Sequence, residues 1–164
     1  MNKITCALSV LALAIAPALA LAGPGGTSCA TAEHLLAGGT YTGDTSAAGY
    51  GNPVGAMGPL PSPANDSIYE FTSDGSNGNI TVTAAGFNFG IFLTSNCAGS
   101  TAPPLSAATG PTAPASMPLT GVAAGTQYFV IVSGNPADAS APSGTYTFTT
   151  PNPLPVSLQS FSID

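Results

Sequence analysis

"SIYEFTSDGSNGNITVTAAGFNFGIFLTSNC" occupies residues 67–97, and its reading decides the fold. Tyr69 and Phe71 share one parity, Ile80 and Val82 share another run, and Phe87, Phe89, Ile91 and Leu93 alternate strictly. A period of two sends successive side chains to opposite faces of an extended chain, so each run builds a strand with one buried face. Phe92 has the opposite parity to its neighbours, which implies that the second face of its strand is also partly covered. "DGSNG" (74–78) supplies turn residues between two alternating runs, so residues 67–86 read as a β-hairpin.

The same pattern extends outward. "GTYTGDT" (39–45) holds β-formers ending in a Gly-Asp turn, and in "GTYTFTT" (144–150) Tyr146 and Phe148 alternate with threonines. "TQYFVIVSG" (126–134) is apolar on both faces, as a central strand of a sandwich is, and its β-branched and aromatic content favours strand over buried helix. Only "SCATAEHLLAGG" (28–39) looks helical; Ser28 or Thr31 could cap a short turn near 31–37 and Gly38 could end it. Residues 47–66 and 98–120 are rich in proline and glycine and read as two long loops. The expected fold is therefore all-β: an antiparallel β-sandwich of Greek-key or jelly-roll type with one short helical turn.

Residues 1–22 carry one positive charge, an apolar run and small-residue cleavage patterns, the features of a secretory signal peptide. Ala18-Leu19-Ala20 and Ala20-Leu21-Ala22 both satisfy the cleavage rule. About 140 residues then remain, enough for one domain. The organisation reads as a leader over 1–22, a sandwich over 23–150, and a proline-rich link with a final strand over 151–164. No membrane span is expected once the leader is removed.

The only Lys or Arg is Lys3, inside the leader, against seven acids: Glu33, Asp44, Asp66, Glu70, Asp74, Asp138 and Asp164. A chain without cationic side chains cannot neutralise phosphates, which excludes nucleic acid as a partner. Low charge combined with an ordinary apolar fraction indicates a folded domain rather than disorder. Cys6 goes with the leader, leaving Cys29 and Cys97, and an even count in an exported chain implies a disulfide.

Candidate sites are few. His34 is the only histidine, and neighbouring Glu33 would not face it in a helical turn. No G-x-S-x-G elbow is present, so no catalytic residues are assigned and no enzyme is expected. Zinc would lack ligands. Calcium is the metal the oxygen-bearing residues Asp66, Glu70, Asp74 and Asn77 could hold, although "DGSNGN" lacks the bidentate acid at its far end and also reads as a plain turn. No other cofactor is expected. Sugar platforms use exposed aromatics; with no tryptophan, Tyr50 and then Tyr41 are the candidates.

In the closing "VSLQSFSID" (156–164) the apolar parity flips near Gln159, so a bulge is needed to give one apolar face. Residues 155–164 could fold back on their own sheet edge, or join a neighbour's sheet and build a filament by strand donation.

Taken in order, "YTGDTSAA" (41–48), residues 67–97, "GVAAGTQYFVIVSG" (121–134) and "SGTYTFTT" (143–150) resemble the bacterial pre-peptidase C-terminal domain and its cysteine-containing relatives. The resemblance covers residues 29–150. Asn88 stands where that pattern has an acid, and the relatives' additional loop cysteines are absent. The resemblance implies a secreted β-sandwich that aids secretion, folding or adhesion at the bacterial cell surface. The functional expectation is a non-enzymatic exported interaction or adhesion module, in the periplasm, on the cell surface or in the medium, with a protein or surface polymer as its unidentified partner. The alternatives are the filament subunit and a secreted calcium- or carbohydrate-binding protein.

Overall fold

A computed structural model describes residues 21–57, 60–61, 64–97, 103–111, 113–135 and 143–154. Most of the expected leader, Asp138, Asp164 and the closing strand lie outside the described residues.

The strands are β1 (Leu21–Ala22), β2 (Glu33–His34), β3 (Thr40–Asp44), β4 (Ala56–Met57), β5 (Leu60–Pro61), β6 (Ser67–Thr72), β7 (Gly78–Ala85), β8 (Phe89–Thr94), β9 (Ser106–Gly110), β10 (Ala115–Leu119), β11 (Gln127–Gly134) and β12 (Thr145–Thr149). One five-stranded sheet has the order β1-β3-β12-β7-β10 and the other β2-β6-β11-β8-β9; β4 and β5 pair separately. The pairing is antiparallel except for the two-residue edges β1–β3 and β2–β6. The molecule is thus an all-β sandwich. Its main core lies between the sheets and takes inward residues from both, Tyr69, Phe71, Phe89, Ile91, Leu93 and Val130 from one and Tyr41, Ile80, Val82, Met117 and Phe148 from the other. β11 is the middle strand of its sheet, flanked by β6 and β8, which is why its sequence is apolar on both sides.

The expected hairpin over 67–86 is corrected. β6 pairs with β11, whereas β7 pairs with β12 and β10, so the two strands belong to different sheets. Alternation alone cannot separate strands that lie side by side from strands that face each other. Here Tyr69 and Phe71 meet Ile80 and Val82 across the sheet-to-sheet gap, about 10 Å, instead of across one ladder. The DGSNG segment is an arch over the end of the sandwich. The Asp74 carboxylate accepts the Ser76 N–H at 2.8 Å, and Gly75 takes the positive φ of 86°.

The stretch 98–120 is also more than a loop. It contains β9 and β10, one edge strand for each sheet, with Met117 and Leu119 fully buried. Pro118 is tolerated because β10 is an edge and pairs with β7 alone. The helical turn expected near 31–37 shrinks to one 3-10 turn, Cys29–Thr31, and the chain then runs extended as β2. Parallel pairing to β6 supplies the backbone partners a helix would otherwise have given, including the Leu35 N–H to the Glu70 carbonyl at 2.8 Å. Packing continues past Thr150. Leu154 is buried in the main core, and the Gly38 N–H donates to the Pro151 carbonyl at 2.9 Å.

Candidate functional site

Two polar constructions interrupt the apolar interior. The first is a cradle for the segment Gly23-Pro24-Gly25-Gly26. Ser67 Oγ and the hydroxyls of Tyr146 and Tyr50 lie 2.6, 2.8 and 2.8 Å from the Pro24 carbonyl. A carbonyl oxygen has two lone pairs. Tyr50 also reaches the Gly25 carbonyl at 3.1 Å, so every hydroxyl proton has an acceptor. Tyr69 is 2.7 Å from the Tyr146 hydroxyl. Burial pushes both of these phenols above their ordinary range, so they remain protonated donors. Glu33 closes the cradle: its Oε1 accepts the Gly23 N–H at 2.5 Å and its Oε2 accepts the Gly25 N–H at 2.8 Å. Gly26 then bridges Ile68 of β6 through both backbone bonds. Glycine is obligatory at Gly25, where φ is +81° and a Cβ would lie 2.1 Å from Ser67 Oγ.

The second construction covers the outer face of the β6–β11–β8 sheet. Ile68, Ile131 and Phe92 are apolar there, and Val54 with Cys97 buries them; Cys29 and Ala32 pack alongside. Gly90 leaves the space that the Phe92 ring fills. The Cys29–Cys97 disulfide joins the covering segments, with 5.8 Å between Cα atoms and a sequence separation of 68. At the end of this patch Asp66 is 1% exposed. Its Oδ2 accepts the Val54 N–H at 3.1 Å, while its Oδ1 is buried with no hydrogen-bond partner. Burial raises this carboxyl to about 6, against the opposing hydrogen bonds from Ser133 and Val54.

The residues singled out in the sequence fall as follows. Cys29 and Cys97 are bonded. Tyr41 is completely buried, stacked on Phe148 and edge-on to Tyr69, with its hydroxyl accepting the Leu36 N–H; it is a core residue and not a surface platform. Tyr50 is half-buried and spends its hydroxyl on the cradle. Asp66, Glu70, Asp74 and Asn77 are not brought together. Asp66 lies just before β6, Glu70 lies on it, and a rise of about 3.3 Å per residue of extended chain puts these two roughly 13 Å apart. Glu70 binds the Gln127 amide at 2.6 Å, whereas Asp74 and Asn77 sit exposed in the arch. Among the described residues no three of His, Cys, Asp and Glu are grouped as metal ligands. His34 is exposed on the β2 edge.

The cradle escaped the sequence reading. Its one signal was "GPGG", a segment lacking side chains large enough to pack, followed seven residues beyond Gly26 by an isolated glutamate. The three hydroxyls come from positions 50, 67 and 146, which only the folded chain brings together.

Fold and site together define a disulfide-stapled β-sandwich module. Among solved structures the chain is similar to the pre-peptidase C-terminal domain of collagenase from Bacillus anthracis, at 16% identity over 71% of this chain and 90% of that chain, with a TM-score of 0.42. That is the domain class which the order of motifs resembles. No protein-family model and no curated protein matches the chain.

Proposed function

We propose that this protein is a non-enzymatic module exported from a bacterial cell, acting at the envelope or beyond it through protein or surface-polymer contacts. The observation that carries this reading is the Cys29–Cys97 bond holding the cover of an apolar sheet face. Such a bond forms and persists in an oxidising compartment outside the cytosol. The polar groups of the cradle serve the chain itself: Ser67 and the Tyr146 phenol donate to the Pro24 carbonyl, the Tyr69 phenol pairs with the Tyr146 hydroxyl, and Glu33 accepts from Gly23 and Gly25. A hydrolase would need a nucleophile, a base and an orienting group converging on open space.

Fractionation of a bacterium expressing the full chain tests this. The protein should leave the cytoplasm with no free thiol, sediment with purified cell envelopes or whole cells, and show no turnover in a broad hydrolase screen. A reduced protein retained in the cytosol overturns the export reading. Turnover that disappears in His34→Ala overturns the non-enzymatic one.

A further inference from the structure

Gly23-Pro24-Gly25-Gly26 is gripped as a peptide ligand would be, with a carboxylate at its leading nitrogen. We infer that the mature chain begins at Gly23 and that its α-ammonium is the ion-pair partner of Glu33. This rests on the export reading above and adds to it the processing site and the reason for its position.

Both Glu33 oxygens are committed to the segment, at 2.5 Å to the Gly23 nitrogen and 2.8 Å to the Gly25 nitrogen. An ammonium at Gly23 keeps the first contact and makes it charge-assisted. Lys3 is the only Lys or Arg, so beyond the leader no other side chain carries a permanent positive charge to meet this half-buried carboxylate. Ala20-Leu21-Ala22 places small residues first and third before the Ala22–Gly23 bond, as an exported chain's processing endopeptidase requires. Each residue of Gly23-Pro24-Gly25-Gly26 has a place in the cradle, through the Gly23 nitrogen, the Pro24 and Gly25 carbonyls and the Gly26 bridge to Ile68. Among the described residues upstream of Gly23, Leu21 and Ala22 pair with β3 as the two-residue β1.

The step is hydrolysis of one amide. Water's oxygen goes to the Ala22 carbonyl carbon, the C–N bond breaks, and the two water protons and the amide proton end on Gly23 as an ammonium beside a new Ala22 carboxylate. Cleavage occurs before folding, and the charged terminus then seats against Glu33.

The test has two arms. The full chain is exported from a bacterial host and the first residue of the released protein is read by sequencing and intact mass. Gly23 is expected; Leu21 as first residue, from cutting after Ala20, overturns this inference while leaving export standing, and an unprocessed chain overturns both. In the second arm a chain prepared to begin at Gly23 is compared with its Nα-acetyl form, in the Glu33 and Glu33→Gln backgrounds. Acetylation keeps an N–H donor and removes the charge. It should lower the folding equilibrium constant about tenfold with Glu33 and less than about twofold with Glu33→Gln. Equal losses in both backgrounds overturn the ion pair. Should Glu33→Gln fail to fold, titration of the Gly23 amine in the unaltered chain decides. A pKa above the ordinary terminal range of about 7.7–8.0 supports the pair, and an ordinary value overturns it.

Discussion

Seen from outside the sandwich, the β3–β12–β7 sheet offers Thr42, Thr145 and Thr83 to solvent, while the β6–β11–β8 sheet carries Ile68, Ile131 and Phe92 under a covering chain. Both sheets share one core, so the difference lies in what each asks of the rest of the molecule. Threonine satisfies strand preference and water together, and that face needs nothing more. Each buried Ile or Phe on the other face gains roughly 1.5–3 kcal/mol, but only while something irregular lies across it. The disulfide, the segment carrying Val54 and the buried Asp66 carboxylate follow from that commitment. An apolar second face thus recruits loops and covalent chemistry into the fold, whereas a hydroxylated one leaves them out.

The comparison can be broken most severely at the staple. Replacing both cysteines by serine should cost about 4 kcal/mol, the loop entropy of a closure of this length, and expose the patch to an apolar dye. Urea unfolding with and without reductant measures it; an unchanged midpoint would mean that the cover holds without the bond. Next is Phe92→Ala, which should cost about 3–4 kcal/mol because it empties a buried site, provided the native fold is retained by circular dichroism.

Asp66 sharpens the contrast through pH. Its folded value of about 6 lies above the unfolded value of about 3.9, so the folded state binds the extra proton. Stability should therefore be greatest with the carboxyl protonated, fall as pH rises from about 4 to about 6, and level off above that, a swing of about 2–3 kcal/mol. Asp66→Asn should remove the slope and raise stability at pH 8. Asp44 and Asp74 act in the opposite sense at lower pH, because bonds from Ser46 and Ser76 hold their carboxyls below the usual range. Urea midpoints at pH 3, 4.5, 5.5 and 7.5 separate these effects. Smallest of all is Thr83→Ala on the bare face, expected within about 0.5 kcal/mol in the same urea assay.

Much of this could be read before folding was considered. The strict alternation of Phe87, Phe89, Ile91 and Leu93 marked an inner face, the wrong-parity Phe92 marked a covered outer one, and the doubly apolar 128–132 marked a centre strand. β10 lies in the stretch that reads as a loop; Met117 and Leu119 share one parity, but two apolar residues among prolines are too short a run to mark a strand. Tyr41, a candidate platform on residue type alone, belongs to the core, because alternation in its short run does not show which strand positions face inward; its hydroxyl accepts the Leu36 N–H there.

By itself the sequence determined which residues turn inward, that two cysteines were available to bond, and that no cationic surface could form, because alternation, count and charge are local properties. Tertiary structure alone decided that β6 and β7 face each other in different sheets, that Asp66 sits buried with an unpaired oxygen, and that hydroxyls from positions 50, 67 and 146 converge on Pro24. Those outcomes depend on which backbones pair. Pairing is settled by the burial of the whole chain at once, and no single run of residues carries it.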